Sequence, residues 1–152
     1  TDVTGVQTCA LPISIVFGKP EPESGTIRTL IGRSAANRQK MTTKADHGRA
    51  AVTRYSVVAS NGRISLVRLL IETGRTHQIR VHMTHIGHPI VGDAMYGARK
   101  KDSDALGASR QMLHAERIAF THPITMQELE FFSPAPEDMR RILSGLTAGP
   151  GA

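Results

Sequence analysis

A β-hairpin over residues 52–71 constrains the fold of this chain more than any other feature. Residues 52–58 alternate between apolar and polar side chains, which is typical of a half-buried strand. Asn61-Gly62 follows and favours a type I′ turn, because both positions of that dipeptide tolerate positive φ. Residues 64–71 return as a second β-rich run, apolar on both faces in its latter half. They are therefore predicted to form a central strand covered on both sides.

The remaining patterns add strands and helices around this hairpin. Strands are predicted over residues 26–31, 112–120 and 129–132, and helices over residues 76–86 and 137–146. The first helix places Ile79, Met83 and Ile86 on one face, and Gly87 is its expected C′ residue. Residues 100–107 are polar and are expected to form a mobile surface loop. Residues 33–49 carry five basic residues and one acid, which indicates a solvated, positively charged loop.

The overall charge favours a polyanionic partner. The 152 residues include 19 Lys and Arg against 13 Asp and Glu, giving a net charge of +6. Nucleic acid is the first candidate for such a basic chain, although mild basicity is also common among soluble proteins. The single Cys excludes a disulfide framework, and no apolar run reaches the length of a membrane span. A cytoplasmic monomer without a membrane partner is expected.

Residues 1–14 need separate treatment, because they show neither helical nor strand periodicity. Residues 3–13, VTGVQTCALPI, resemble the translation of a common sequencing-library adapter. The alternative is a native N-terminal strand. On the adapter interpretation residues 1–14 are non-native and are not expected to contribute to the fold. Cys9 and Asp2 are then not candidates for functional residues. The net charge of residues 15–152 is +7, from 19 basic and 12 acidic residues.

The segment 74–83, GRTHQIRVHM, carries more polar chemistry than a core-flanking helix needs. At 100° per residue, His77, Arg80 and Thr84 share one flank, away from the apolar face. A half-buried Arg80 requires a carboxylate or phosphate partner. The nearby acids are Glu72 and Asp93, so the partner is one of these, a ligand, or a group outside the chain.

A metal site is the alternative interpretation of this segment. Four histidines fall within twelve residues, and Asp93 is close to them in the sequence; they are His77, His82, His85 and His88. The spacing matches no H-E-x-x-H or cysteine-based motif. No metal is predicted, and the histidines are expected to be cleft donors or satisfied core groups.

A resemblance to a known family comes from residues 70–97, LIETGRTHQIRVHMTHIGHPIVGDAMYG. This string resembles the signature of the RluA-type pseudouridine synthases, which isomerise uridine in ribosomal or transfer RNA. Shorter matches flank it: GTI at 25–27, IGR at 31–33, RQKM at 38–41, QMLHA at 111–115 and FTHP at 120–123. The likeness covers residues 15–146, and residues 147–152 are expected to be a disordered tail. It implies an α+β fold with a curved, largely antiparallel sheet, flanking helices and an RNA cleft.

The resemblance also implies roles for particular residues. Arg80 matches the family's Arg that pairs with the catalytic Asp, and base flipping is expected during the reaction. Neither a metal nor an organic cofactor is implied. Tyr96 matches the Tyr after the family's GD turn and is expected to pack rather than to react. The residues expected to line the cleft or contact RNA are Arg75, Thr76, His77, Gln78, Arg33, Arg38 and Lys40, with a structural role for Thr76 and Gln78 equally open.

Two departures from the family pattern matter. The catalytic Asp of these enzymes lies in an HRLD-type motif, and the chain contains no HRLD. The place of the family's base-stacking Tyr falls within the adapter-like segment. Residues 15–146 are therefore expected to be the C-terminal part of an N-terminally truncated catalytic domain, inactive alone although the parent protein is an enzyme. The alternative is a non-catalytic RNA-binding module.

Overall fold

A seven-stranded antiparallel sheet organises the part of the chain that the computed structural model describes, residues 8–147. The strands run in the order β3-β2-β4-β5-β1-β6-β7. Their bounds are β1 Thr8–Phe17, β2 Ser24–Arg33, β3 Met41–Thr42, β4 Arg49–Ser60, β5 Ile64–Ile71, β6 Leu113–Thr121 and β7 Glu128–Phe132. The helices are α1 Gln78–His85, α2 Lys100–Ala105 and α3 Glu137–Thr147, with a 3₁₀ turn over Ala94–Tyr96. None of the described helices is long and apolar enough to cross a membrane.

The predicted hairpin is confirmed, with two corrections. β4 and β5 pair antiparallel, and β5 is the middle strand of the sheet. The type I′ turn is wrong: Gly62 has a φ of 89°, but Asn61 is not among the described residues with positive φ. Instead the Asn61 side chain closes the turn, because its Oδ1 accepts from the backbone N–H groups of Arg63 and Ile64 at 2.9 and 3.0 Å.

The second correction concerns the cover of β5. Val67 and Leu69 are buried, whereas Leu70 is 37% exposed, so the expectation of cover on both sides is wrong. Both α1 and α3 contribute to the same core as Val67 and Leu69, through side chains such as Met83 and Met139. Because side chains alternate along a strand, residues of the opposite face remain outside that core. The apolar run at the end of β5 therefore reflects its position at the centre of a sheet covered mainly on one face.

The adapter-like residues contribute to the sheet. Thr8–Phe17 forms β1 between β5 and β6, and Ile13 and Ser14 are buried. Proline cannot donate to a β ladder, which argues against a central strand. The sheet accommodates Pro12 at a register shift between Leu11 and Pro12. The structure thus includes residues 8–14 in the fold, while their non-native origin stays a prediction.

The helices differ from expectation mainly in one place. α1 begins at Gln78, two residues later than predicted, and Gly87 has the positive φ expected of a C′ residue. α3 and the β6–β7 pair form where they were predicted. Residues 100–105, expected to lie in a mobile loop, form α2. That helix is supported by an i,i+4 ion pair between Lys100 and Asp104 and buries Ser103 against Gly92. The tail was predicted over residues 147–152, but Thr147 ends α3, and residues 148–152 lie outside the described residues.

A buried polar chain attaches α1 to the sheet. The Gln78 side-chain amide donates to Thr53 Oγ1 at 2.9 Å, and Thr53 Oγ1 lies 2.7 Å from His82 Nδ1. The Gln78 amide can only donate, so the Thr53 hydroxyl hydrogen is available for Nδ1, and Nε2–H of His82 can then donate to Thr29 Oγ1 at 2.8 Å. His82 is a satisfied core histidine in its neutral form.

We expect this histidine to make folding pH-dependent. Burial, assisted by nearby His85, lowers the pKa of His82 to about 4. Between pH 6.5 and 4, His82 is therefore protonated in the unfolded chain but neutral in the folded chain. This difference lowers the free energy of unfolding by about 3 kcal/mol at pH 4. Urea unfolding from pH 7 to 4 should show this loss for the wild type. His82→Gln should lack that component of the loss, whatever its stability at pH 7.

The matched control is His114→Gln. His114 lies on β6, which is separated from β2 and β4 by the middle strand β5, and its imidazole bonds the Ser133 carbonyl. It should follow the wild-type pH curve. Parallel pH curves for the wild type and His82→Gln would contradict the assignment.

Candidate active site

Tyr96 is the point where α1, the 3₁₀ turn and the basic loop meet, the basic loop being residues 33–49 with the short strand β3 inside it. Its side chain is buried, at 5% exposure. Three side chains contact Tyr96: His77, which immediately precedes α1, and Arg80 and Thr84 within the helix. The Tyr96 hydroxyl lies 2.7 Å from His77 Nδ1, the guanidinium carbon of Arg80 lies 4.9 Å from the ring centroid, and the Thr84 hydroxyl donates to the Tyr96 carbonyl. The predicted flank of His77, Arg80 and Thr84 is confirmed, and Tyr96 is what it packs against.

Asp93 is the partner of Arg80 within this chain. Nε and Nη2 of Arg80 donate to the two carboxylate oxygens of Asp93, each at 2.9 Å. The pair is largely desolvated, with side-chain exposures of 14% for Arg80 and 1% for Asp93. The hydrogen bond from Arg80 to Asp93 is the main cause that raises the pKa of Arg80 above its ordinary value. Of the two nearby acids, Glu72 instead pairs with Arg54 at 2.7 Å.

The bidentate pair leaves one edge of the Arg80 guanidinium available. Nη2 also approaches the sulfur of Met95 at 3.8 Å, whereas Nη1 donates to no residue in the described part of the chain. The sequence offers both Glu72 and Asp93 as partners of Arg80 and does not distinguish between them. The decision depends on the turn over residues 90–93, which brings Asp93 back toward α1.

Part of the basic loop reaches the same place. The backbone N–H of Met41 donates to the Tyr96 hydroxyl at 2.9 Å, and Lys40 Nζ lies 5.5 Å from the Tyr96 ring centroid. Arg33 donates to the carbonyl of Arg38 at 2.8 Å, which ties the two ends of the loop's first turn together. Lys40 and Arg80 thus place two cationic side chains around one aromatic ring. Because Asp93 neutralises Arg80, the net positive charge beside the ring comes from Lys40, which favours an anionic ligand.

The motif residues Arg75, Thr76 and Gln78 occupy different surroundings. Both ends of the Gln78 side chain are used inside the protein: its Nε2 donates to Val52 and Thr53, and its Oε1 accepts from Thr73 and from the Arg75 backbone. Arg75 Nε donates to the carbonyl of Ala50. Thr76 is exposed. Gln78 therefore shapes the junction between β5 and α1 rather than a ligand surface.

The clustered histidines have separate partners. His82 bonds Thr29 and Thr53, His85 lies 3.5 Å from Thr43 Oγ1, and His88 lies 2.8 Å from the Phe17 carbonyl. Within residues 8–147, no group of three or more His, Cys, Asp or Glu side chains is placed to hold a metal ion.

An open cavity of about 480 Å³ adjoins Tyr96. One wall comes from the basic loop and the other from α1 and the 3₁₀ turn. Its lining includes Lys40, Thr42, Lys44, Thr84, His85 and Tyr96. Two lysines and several hydroxyl donors make this cavity suited to phosphate or sugar oxygens.

Comparisons with known proteins identify the family. A model described as RNA pseudouridylate synthase matches residues 6–85 of the chain. The chain belongs to this family. Its relatives include the uncharacterized RNA pseudouridine synthase YjbO of Bacillus subtilis (strain 168), to which it is 39% identical over 132 residues, covering 87% of this chain and 44% of that protein. The RluA-type resemblance is confirmed by 41% identity over 138 residues to the Ribosomal large subunit pseudouridine synthase D of Zymomonas mobilis, covering 88% and 43%.

Solved pseudouridylate synthase structures share the fold. The chain superimposes on Human RNA Pseudouridylate Synthase Domain Containing 4 with a TM-score of 0.72 and 24% identity, covering 93% of this chain and 63% of that one. The corresponding values for Human RNA Pseudouridylate Synthase Domain Containing 1 are 0.71 and 25%, covering 94% and 67%. These likenesses confirm the expected α+β fold. The chain spans less than half the length of the curated relatives described above.

The pairing of Arg80 with Asp93 yields a prediction about the stability of this chain. Asp93→Asn should remove the negative charge and leave the Arg80 guanidinium desolvated without its counter-ion. Breaking such a pair costs about 3 kcal/mol of unfolding free energy. Urea denaturation at pH 7 measures this loss.

Glu72→Gln is the matched control, because it removes the same charge from the exposed pair with Arg54. Exposed pairs contribute less than about 1 kcal/mol. Equal losses for the two variants would show that Asp93 does not neutralise Arg80 in the folded protein.

Proposed function

We propose that this chain is part of an enzyme that isomerises uridine to pseudouridine in RNA, with ribosomal RNA as the favoured substrate class. Membership of the RNA pseudouridylate synthase family carries this proposal. The relative from Zymomonas mobilis, whose name gives the ribosomal large subunit as its target, supports ribosomal RNA. The cations around Tyr96 suit a polyanionic substrate.

Arg80 is the residue through which this chain takes part in the chemistry. Its Nε edge is neutralised by Asp93, and its Nη1 amino group is left to bind a second carboxylate, the catalytic Asp of the family's HRLD-type motif. A guanidinium so fixed would keep that carboxylate ionised and oriented. The reaction breaks the bond between C1′ of the ribose and N1 of uracil and forms a bond from C1′ to C5. The uracil must leave its stack for this to occur.

We expect this chain alone to be inactive, because it contains no HRLD motif to supply the carboxylate. Release of tritium from ribosomal RNA labelled at C5 of uridine measures turnover directly, since C5 loses its hydrogen in the product. The parent protein should release tritium, and the 152-residue chain should not. Arg80→Met in the parent should lower turnover by at least about 100-fold. Clear turnover by the chain alone would contradict the expected inactivity.

Residues 33–40 are the proposed RNA-contacting part of the basic loop. Changing Arg33, Arg38 and Lys40 together to Gln removes three positive charges. Each charge that neutralises a phosphate of single-stranded RNA contributes about 0.7 to the slope of log affinity against log salt, so the slope should fall in magnitude by about 2. Fluorescence anisotropy measures the affinity for a labelled ribosomal RNA fragment. Repeating it at salt concentrations from about 50 to about 300 mM gives this slope.

The matched control changes Arg99, Lys100 and Lys101 to Gln, which removes three exposed charges at the start of α2. Its slope should stay close to that of the wild type. Equal slope changes for both triple variants would show that net charge, rather than the basic loop, determines the affinity.

A non-catalytic RNA-binding module remains the second candidate. The observation that favours it is that the chain carries the basic loop and Arg80 but no HRLD motif. Tight, salt-dependent RNA binding by a parent protein that releases no tritium would support this candidate over the synthase.

A further inference from the structure

His77 has a backbone conformation that calls for an explanation. Its φ of 55° and ψ of 23° lie in the left-handed region, immediately before the first residue of α1. A histidine rarely adopts this conformation unless the surrounding contacts enforce it, and such residues concentrate at functional sites. The conformation directs the imidazole edge-on toward Tyr96, with the ring centroids 5.4 Å apart and the planes at 77°.

The contacts of Tyr96 determine which nitrogen of His77 carries the proton. The Met41 backbone N–H can only donate, so the Tyr96 oxygen accepts from it. The Tyr96 hydroxyl has one hydrogen, and the acceptor within reach among the described residues is His77 Nδ1 at 2.7 Å. A proton on Nδ1 would leave the buried hydroxyl hydrogen without an acceptor. His77 is therefore neutral, with its proton on Nε2.

Nε2–H of His77 points away from Tyr96 and toward solvent. No hydrogen bond in the described part of the chain uses Nε2, and no polar side-chain atom there is both buried and unpartnered. Burial and the charges of Arg80 and Arg33 lower the pKa of His77, against a smaller opposing effect of Asp93. The charged and titratable groups around this imidazole are therefore Arg80, Arg33 and Asp93, with Lys40 and Tyr96 on the side of the aromatic ring.

We propose that His77 is a neutral hydrogen-bond donor that positions the substrate, with its Nε2–H binding an acceptor oxygen of the RNA. Tyr96 and the Met41 N–H hold the imidazole in this tautomer and orientation, while Arg33 and Lys40 supply the positive charge nearby. His77 thus contributes direction rather than charge. The inference rests on the proposed RNA substrate, but the state of the imidazole can be tested without it.

The first test is the tautomer. Two-bond ¹⁵N–¹H correlation spectra of the histidine-labelled chain at pH 7 should show His77 with a protonated Nε2 and an unprotonated Nδ1. Tyr96→Phe removes the hydroxyl and should shift His77 toward exchange between tautomers. A cationic His77, or a proton fixed on Nδ1 in the wild type, would overturn the proposal.

The second test separates direction from charge in RNA binding. His77→Gly removes the imidazole and suits the positive φ, so the variant should fold. Its affinity for the labelled ribosomal RNA fragment should fall about tenfold, as expected for one lost hydrogen bond to a charged or strongly polar acceptor. The salt slope should stay unchanged, whereas Lys40→Gln should lower it by about 0.7. His77→Asn, which also tolerates this backbone, provides a second variant.

The outcomes are distinguishable. A slope that falls for His77→Gly as it does for Lys40→Gln would make His77 a charged phosphate contact and overturn the proposal. Wild-type affinity in both His77 variants would also overturn it. Failure of the wild-type chain to bind RNA in a salt-dependent way would contradict the proposed substrate class instead, and leave the tautomer test to decide the state of His77. Retained binding by His114→Gly serves as the control for a histidine elsewhere on the sheet.

Discussion

The burial of a charge pair beneath an aromatic ring is the constraint on which the site depends. Arg80 and Asp93 are both largely withdrawn from water, and neither charge could stay there without the other. Their bidentate geometry fixes the guanidinium plane, and Tyr96 covers it at 4.9 Å. Three groups around this pair are available to a ligand. They are Lys40 over the ring, His77 at the edge of the ring, and Nη1 of Arg80.

Helix α1 is short and unusually polar for an element so well buried. Gln78 and His82 have almost no exposed surface, and all their polar side-chain atoms are hydrogen-bonded. Gln78 bonds Thr53 and the loop before the helix, and His82 bonds Thr29 and Thr53. Polar groups in a low-dielectric interior destabilise a fold unless they are paired, so this network permits few orientations of the helix. We infer that the saturated network sets the rotation of α1 about its axis. That rotation directs His77, Arg80 and Thr84 to the 3₁₀ turn.

The sheet explains why a basic loop lies beside an acid–arginine pair. β2 and β3 pair at the edge of the sheet, and the turn that joins them ends at Lys40. Lys40 and Met41, the first residue of β3, therefore lie beside Tyr96. The backbone N–H of Met41 donates to the Tyr96 hydroxyl, which also bonds His77 at the N-terminus of α1. The loop and the helix are therefore both hydrogen-bonded to Tyr96. This arrangement suits the polyanionic RNA substrate proposed above.

The sequence by itself determined five of the seven strands, the polar flank of α1 and the family, but neither β1 nor β3. Alternation, the Gly87 stop and the 70–97 motif are local signals, because they depend on residues close together in the chain. The tertiary structure alone decided that Asp93, rather than Glu72, pairs with Arg80. It also decided that Tyr96 joins helix and loop, that Pro12 is tolerated at a register shift, and that residues 100–105 form a helix. These outcomes depend on how distant segments share limited buried space, where each polar group must find a partner, and no local pattern encodes that competition.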